Sequence, residues 1–151
     1  MQDSLLAITS WNVRGMGDPI KRTSVMSLLE EGMPGLLCLQ ETHLTKDTVP
    51  LLNSRKFQAQ FHSVHSSYSR GVSILVGRGV TFSCTESQLD DQGRYIFLFC
   101  LIENSPYVLA NMYIPPPFKL DALNKLLGPD SRSTCARATI VARRKCLLAP
   151  V

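Results

Sequence analysis

The chain has 151 residues, 44% of them hydrophobic and 19% charged, and a net charge of +4. That length and balance suit one domain with a real core, not an intrinsically disordered chain. No apolar run reaches the roughly 18 residues of a membrane-crossing helix, and the opening MQDSLLAITS shows neither a basic start nor a signal-peptide pattern.

LLAITSWNV reads as a strand ending at Asn12, followed by the glycine-rich turn RGMGDP. A helix should come next: Asp18 suits the N-cap, Pro19 the first helical position and Gly32 the close. Ile20, Val25, Leu28 and Leu29 approximate an apolar face along it. GLLCLQ is almost wholly apolar, as in a strand buried on both faces. The opening is therefore β-turn-α-β, with both strand ends pointing the same way. A short helix is expected around Asp47–Asn53, and then a β-meander: FQAQFHSVH, GVSILVG, VTFSCTES, RYIFLFCLIE and YVLANMYI. His62 and His65 fall in an alternating strand and read as exposed structural residues. Pro115 to Pro117 end the last strand, because proline removes ladder donors. FKLDALNKLL then reads as an amphipathic helix with Phe118, Leu120, Leu123, Leu126 and Leu127 inward.

Composition changes after Gly128. Residues 1–128 hold eleven basic and eleven acidic side chains, whereas residues 129–151 hold five basic ones and only Asp130. Two segments are expected: a body over 1–128 and a basic, poorly ordered tail over 129–151. The cysteines, five in number and scattered, show no zinc or disulfide spacing. They favour a reducing compartment, nucleus or cytoplasm.

Three polar clusters close predicted strands: Trp11-Asn12, Gln40-Glu41-Thr42-His43 and Asn111-x-Tyr113. A shared sheet brings such ends together. A hard divalent cation takes oxygen ligands, and Mg²⁺ often uses only one or two carboxylates plus water. Glu41 supplies a carboxylate, Asn12 an amide oxygen, and Tyr113 a hydroxyl for a phosphate oxygen.

ITSWNVRGMGDPIKR, LLCLQETHL, RGVSILVG and VLANMYIPP, in that order, resemble the endonuclease/exonuclease/phosphatase superfamily, above all the endonuclease domains of LINE-type retrotransposons. The likeness runs over about residues 5–128. It implies an α/β fold, the N-terminal half of a two-layered αββα, DNase I-like sandwich, and an ancestral Mg²⁺-dependent nicking of DNA. It also implies site roles. Glu41 is then the principal Mg²⁺ ligand, and Asn12 supports the metal. Tyr113 contacts the scissile phosphate, while Gln40 and His43 flank the glutamate, with His43 toward substrate. Two departures stand out. Pro116 occupies the place of an asparagine in the relatives' Y-x-P-N pattern, and the chain contains no G-D-F-N-like or S-D-H-like element and no histidine after His65. A truncated domain with a weakly held cation and little or no activity of its own is expected, with DNA as ancestral substrate and self-association through unpaired sheet surface as a possibility. The alternatives are a non-catalytic interaction fragment and a phosphatase-type relative acting on a small phosphoester.

Overall fold

The structure is a computed structural model that describes residues 6–32 and 35–113 in full and the backbone of residues 137–142 and 145–150. The elements are β1 (Ile8–Asn12), α1 (Pro19–Gly32), β2 (Leu36–Gln40), a 3₁₀ turn (Val49–Leu52), β3 (Phe57–Ser63), β4 (Val72–Gly77), β5 (Phe82–Leu89), β6 (Tyr95–Ile102), β7 (Ser105–Met112), β8 (Arg137–Ala142) and β9 (Lys145–Pro150). They form a four-stranded sheet, β1-β2-β4-β3, and a five-stranded sheet, β5-β6-β7-β8-β9. β1 runs parallel to β2, as the β-turn-α-β opening requires, with Asn12 opposite Gln40. The mixed α/β fold read from the sequence is the one observed.

Period-two alternation sorts the side chains into layers. Leu36 and Cys38 of β2 join Val72, Ile74 and Val76 of β4 and Ile96, Leu98, Cys100 and Ile102 of β6 in the core between the sheets. The intervening Leu37 and Leu39 face outward and meet Val25, Met26 and Leu29 of α1. β2 is thus covered on both faces, and all five of its residues are buried. Burying each such Leu or Ile side chain contributes about 1.5–3 kcal/mol, so β2 and β4 form the rigid centre from which the strand ends project.

α1 starts as its sequence dictates: the Asp18 carboxylate accepts the Lys21 N–H at 2.8 Å, and the Asp18 carbonyl accepts the Arg22 N–H at 2.9 Å. Its buried face differs from the one expected. Val25, Met26 and Leu29 are buried, while Ile20 and Leu28 are 79% and 56% exposed. At about 100° per residue, Ile20 points almost directly away from the Val25–Met26–Leu29 arc. The β6–β7 hairpin closes on Glu103 and Asn104, both with positive φ, the geometry of a two-residue type I′ turn.

The expected tail contains two strands: β8 pairs parallel to β7, and β9 antiparallel to β8. The β-branched run Thr139-Ile140-Val141 accounts for β8, a local propensity that the excess of basic residues masks in a composition reading. The boundary at Gly128, the prolines 115–117 and the helix expected over 118–127 lie outside the described residues.

Candidate active site

The C-terminal ends of β1, β2 and β7 and the start of β4 meet at one end of the sandwich. Val72 of β4 pairs with Gln40, and the Asn111 amide of β7 donates to the backbone carbonyls of Leu39 (2.9 Å) and Ser73 (2.8 Å). This brings together strand-end residues that lie about thirty and seventy positions apart in the chain.

Beyond β2 the backbone turns sharply. Glu41 and His43 adopt positive φ (52° and 53°), as does Arg14 (51°) in the facing loop. For non-glycine residues each such conformation costs roughly 1–2 kcal/mol, and hydrogen bonds on both sides of the loop hold it. Gly15 N–H donates to the Glu41 carbonyl (2.6 Å), Met16 N–H to that of Thr42 (2.8 Å), Thr42 N–H to that of Gly71 (3.1 Å) and His43 N–H to that of Arg70 (3.0 Å). Glycine is required at 15, where φ is 91° and a β carbon would lie 2.7 Å from His43 Nδ1.

Asn12 and Glu41 touch. The Asn12 amide nitrogen donates to Glu41 Oε1 at 3.1 Å, and the Asn12 oxygen accepts the Arg14 N–H at 3.1 Å. Asn12 therefore orients the carboxylate, its own oxygen already engaged. His43 is partly buried, and burial holds its pKa below the ordinary value. Glu41 opposes that shift and Lys21 reinforces it, so the ring is neutral at pH 7. Lys21 also donates from Nζ to the Arg14 carbonyl at 2.8 Å, which ties the first turn of α1 to the loop after β1. Tyr113 follows β7 at the same end. Its N–H donates to the Arg94 carbonyl at 2.7 Å, and its ring packs on the inter-sheet core.

Among the described residues no cluster of three or more His, Cys, Asp or Glu side chains forms. One carboxylate beside one amide suits a hard cation held mostly through water, as Mg²⁺ is, and does not suit a cage of protein ligands.

His62, expected from the sequence to be an exposed structural residue, is not exposed. It is partly buried, with Nε2 donating to Gln60 Oε1 (3.0 Å) and Nδ1 accepting from Ser73 Oγ (2.7 Å), and burial lowers its pKa to about 4. His65 is exposed, as expected. The alternation of β3 placed His62 correctly on the face opposite Phe61. That face lies beside the 3₁₀ turn: Val49, Pro50, Asn53 and Ser54 line a pocket together with Gln60 and His62, and Gln60 Nε2 donates to the Leu52 carbonyl at 2.9 Å.

A DNA-(apurinic or apyrimidinic site) endonuclease of Dictyostelium discoideum is 26% identical over 123 residues, 76% of this chain and 32% of that protein. An AP endonuclease from Archaeoglobus fulgidus superposes with a TM-score of 0.62 at 23% identity, over 91% of this chain and 56% of that one. A 3′ phosphatase from Neisseria, solved with a product DNA hairpin, gives 0.59 at 24% identity, over 89% and 56%. The chain thus spans about a third of the curated relative's length and little more than half of these two solved chains. The Endonuclease/Exonuclease/phosphatase family model matches residues 9–129, a segment that runs from β1 through every strand end gathered at this site, and the chain belongs to that family.

Proposed function

We propose that the chain is the metal-site half of a LINE-type retrotransposon endonuclease domain, descended from an enzyme that nicked DNA phosphodiesters with Mg²⁺, and that alone it has little or no activity. The observation that carries the reading is the Asn12–Glu41 contact, 3.1 Å between residues 29 positions apart, made by the W-N-V-R-G and Q-E-T-H-L motifs at the end where Tyr113 also lies. Glu41 would hold the cation, with Asn12 fixing the carboxylate's rotamer. Tyr113 would donate to a phosphate oxygen, and neutral His43 is placed to bond substrate without adding charge. A bound cation supplies polarisation of the phosphoryl oxygen and neutralises the leaving oxyanion.

Orienting and deprotonating the attacking water needs further groups. In relatives of this type an aspartate–histidine pair and a G-D-F-N element serve, and the sequence has neither. General-base catalysis typically contributes about 10²–10⁴-fold. Supercoiled DNA incubated with the purified chain and Mg²⁺ is therefore expected to be nicked no faster than with EDTA or with Glu41→Ala. Robust cleavage that disappears in both controls would overturn the proposed inactivity. The basic residues after Gly128 would still give weak, salt-sensitive DNA binding, and the scattered cysteines, without disulfide or zinc spacing, fit work in the nucleus or cytoplasm.

A second reading, a fragment that self-associates, draws support from β1. Among the described residues this strand pairs on one side only, and Ile8–Asn12 carries no charge or proline to blunt the edge. β3 and β5, the other edges described with side chains, each contain a register shift. Sedimentation equilibrium should show concentration-dependent association that Thr9→Lys abolishes. A monomer at every concentration would remove this reading.

A further inference from the structure

Among the described residues the core between the sheets is mostly apolar, and two buried polar contacts cross it, Ser63 Oγ to the Asp90 carbonyl and a larger cluster around Asn111. Asn111 of β7 is fully buried, and it reaches across to the facing sheet. Its Nδ2 donates to the carbonyls of Leu39 on β2 (2.9 Å) and Ser73 on β4 (2.8 Å), and its Oδ1 accepts from Nε2 of the equally buried Gln40 at 2.8 Å. Gln40 Nε2 also lies 3.1 Å from Ser10 Oγ, which extends the network to β1.

We infer that Asn111, acting with Gln40, is a positioning residue that fixes the Tyr113-bearing end of β7 in register against the Glu41-bearing end of β2. The inference rests on the proposed roles of Glu41 and Tyr113. Apolar packing is non-directional. It sets how far apart the sheets lie but resists a small slide of one over the other only weakly. Hydrogen bonds are directional, and Asn111 bonds two different strands of the facing sheet, so it opposes both translation and rotation of β7. A slide would break all three of these bonds and leave the Asn111 amide unsatisfied in a dry interior, the costly outcome for a buried polar group. The placement carries the functional meaning. Gln40 immediately precedes Glu41, and Asn111 precedes Tyr113 by two residues, so a register fixed at this pair is passed directly to the two groups that must meet one phosphate.

The test is nuclear magnetic resonance on the isotopically labelled full chain, with Mn²⁺ as the probe ion. The variant is Gln40→Leu with Asn111→Leu, which replaces the bonded pair by apolar side chains. The double variant should keep the native resonances of α1 and β6, showing that it folds. Its Met112 and Tyr113 resonances should move, and Mn²⁺ broadening should persist at Glu41 but fall several-fold at Tyr113. A folded double variant whose Tyr113 shifts and broadening match those of the unmodified chain would overturn the inference and leave the metal-site reading intact. Failure of Mn²⁺ to broaden Glu41 in the unmodified chain would instead sink the metal-site reading, with the metal-free Tyr113 shifts still deciding whether Asn111 sets the register. Should the double variant fail to fold, Gln40→Met keeps both Asn111–carbonyl bonds, and a smaller displacement of the same resonances is expected.

Discussion

Lowering the pH from 6.5 to about 4 is expected to remove about 3 kcal/mol of folding stability through His62 alone. The ring is wedged between two partners. Gln60 Oε1 can only accept, so Nε2 carries the proton, and Nδ1 accepts from the Ser73 hydroxyl. Burial disfavours the imidazolium and brings the folded-state pKa to about 4 against an ordinary 6.5. Above pH 6.5 both states are neutral and stability is complete. Between 6.5 and 4 only the unfolded chain gains the proton, so stability drains as pH falls through that window. Asp90 acts in the same direction lower down. Burial alone would raise its pKa, but bonds from Arg94, at 2.8 Å and 3.2 Å to its two oxygens, hold it below the ordinary 3.8. Its stabilisation is therefore lost at still lower pH. Urea midpoints at pH 7, 5.5 and 4.5 measure the slope. His62→Gln, which cannot titrate, should flatten most of it, leaving the smaller contribution of His43, whose pKa is also lowered. An unchanged slope in that variant would show that His62 is not the responsible group.

How much of this was legible in the sequence varies with the kind of signal. β2 announced itself because a strand covered on both faces reads as an unbroken apolar run, and all five of its residues are buried. The start of α1 was written in Asp18 and Pro19, since capping is local chemistry. Its buried face was not, because the helix is weakly amphipathic and Ile20 and Leu28 resemble core residues until the orientation on the sheet is known. The meeting of Asn12 and Glu41 followed from two parallel strands ending together, as Asn12 opposite Gln40 shows. The network through Asn111, Ser73 and His62 was beyond reach. It joins strands of different sheets, and no periodicity encodes which strand faces which. The strands β8 and β9 were hidden for another reason: net charge dominated the reading of residues 129–151, while their pairing depends on β7.

Replacing Gly71 by alanine is expected to destabilise the fold by about 3 kcal/mol, and by only about half that when Thr42 is also alanine. Two costs add at this position. The backbone has φ of 92°, a left-handed conformation in which a β carbon costs about 1–2 kcal/mol. That carbon would also run into the Thr42 hydroxyl and lie 3.2 Å from the His43 backbone nitrogen, an overpacking that typically costs about 1–3 kcal/mol. Thr42 is fully buried, and its hydroxyl oxygen has no hydrogen-bond partner among the described residues, so Thr42→Ala forfeits no bond while it clears the space. The backbone cannot simply shift to relieve the strain, because Gly71 is tied on both sides: its N–H donates to the Gly93 carbonyl at 2.9 Å, and its carbonyl accepts the Thr42 N–H at 3.1 Å. Urea unfolding of the two single variants and the double variant gives the coupling directly. Equal costs of Gly71→Ala in both backgrounds would assign the requirement for glycine to backbone conformation alone. A coupling of about 1–2 kcal/mol would place it instead in the packing of the Arg70–Gly71 loop on Thr42 and His43. That segment starts at Glu41, so Gly71 would then help fix the carboxylate's position without contacting any substrate.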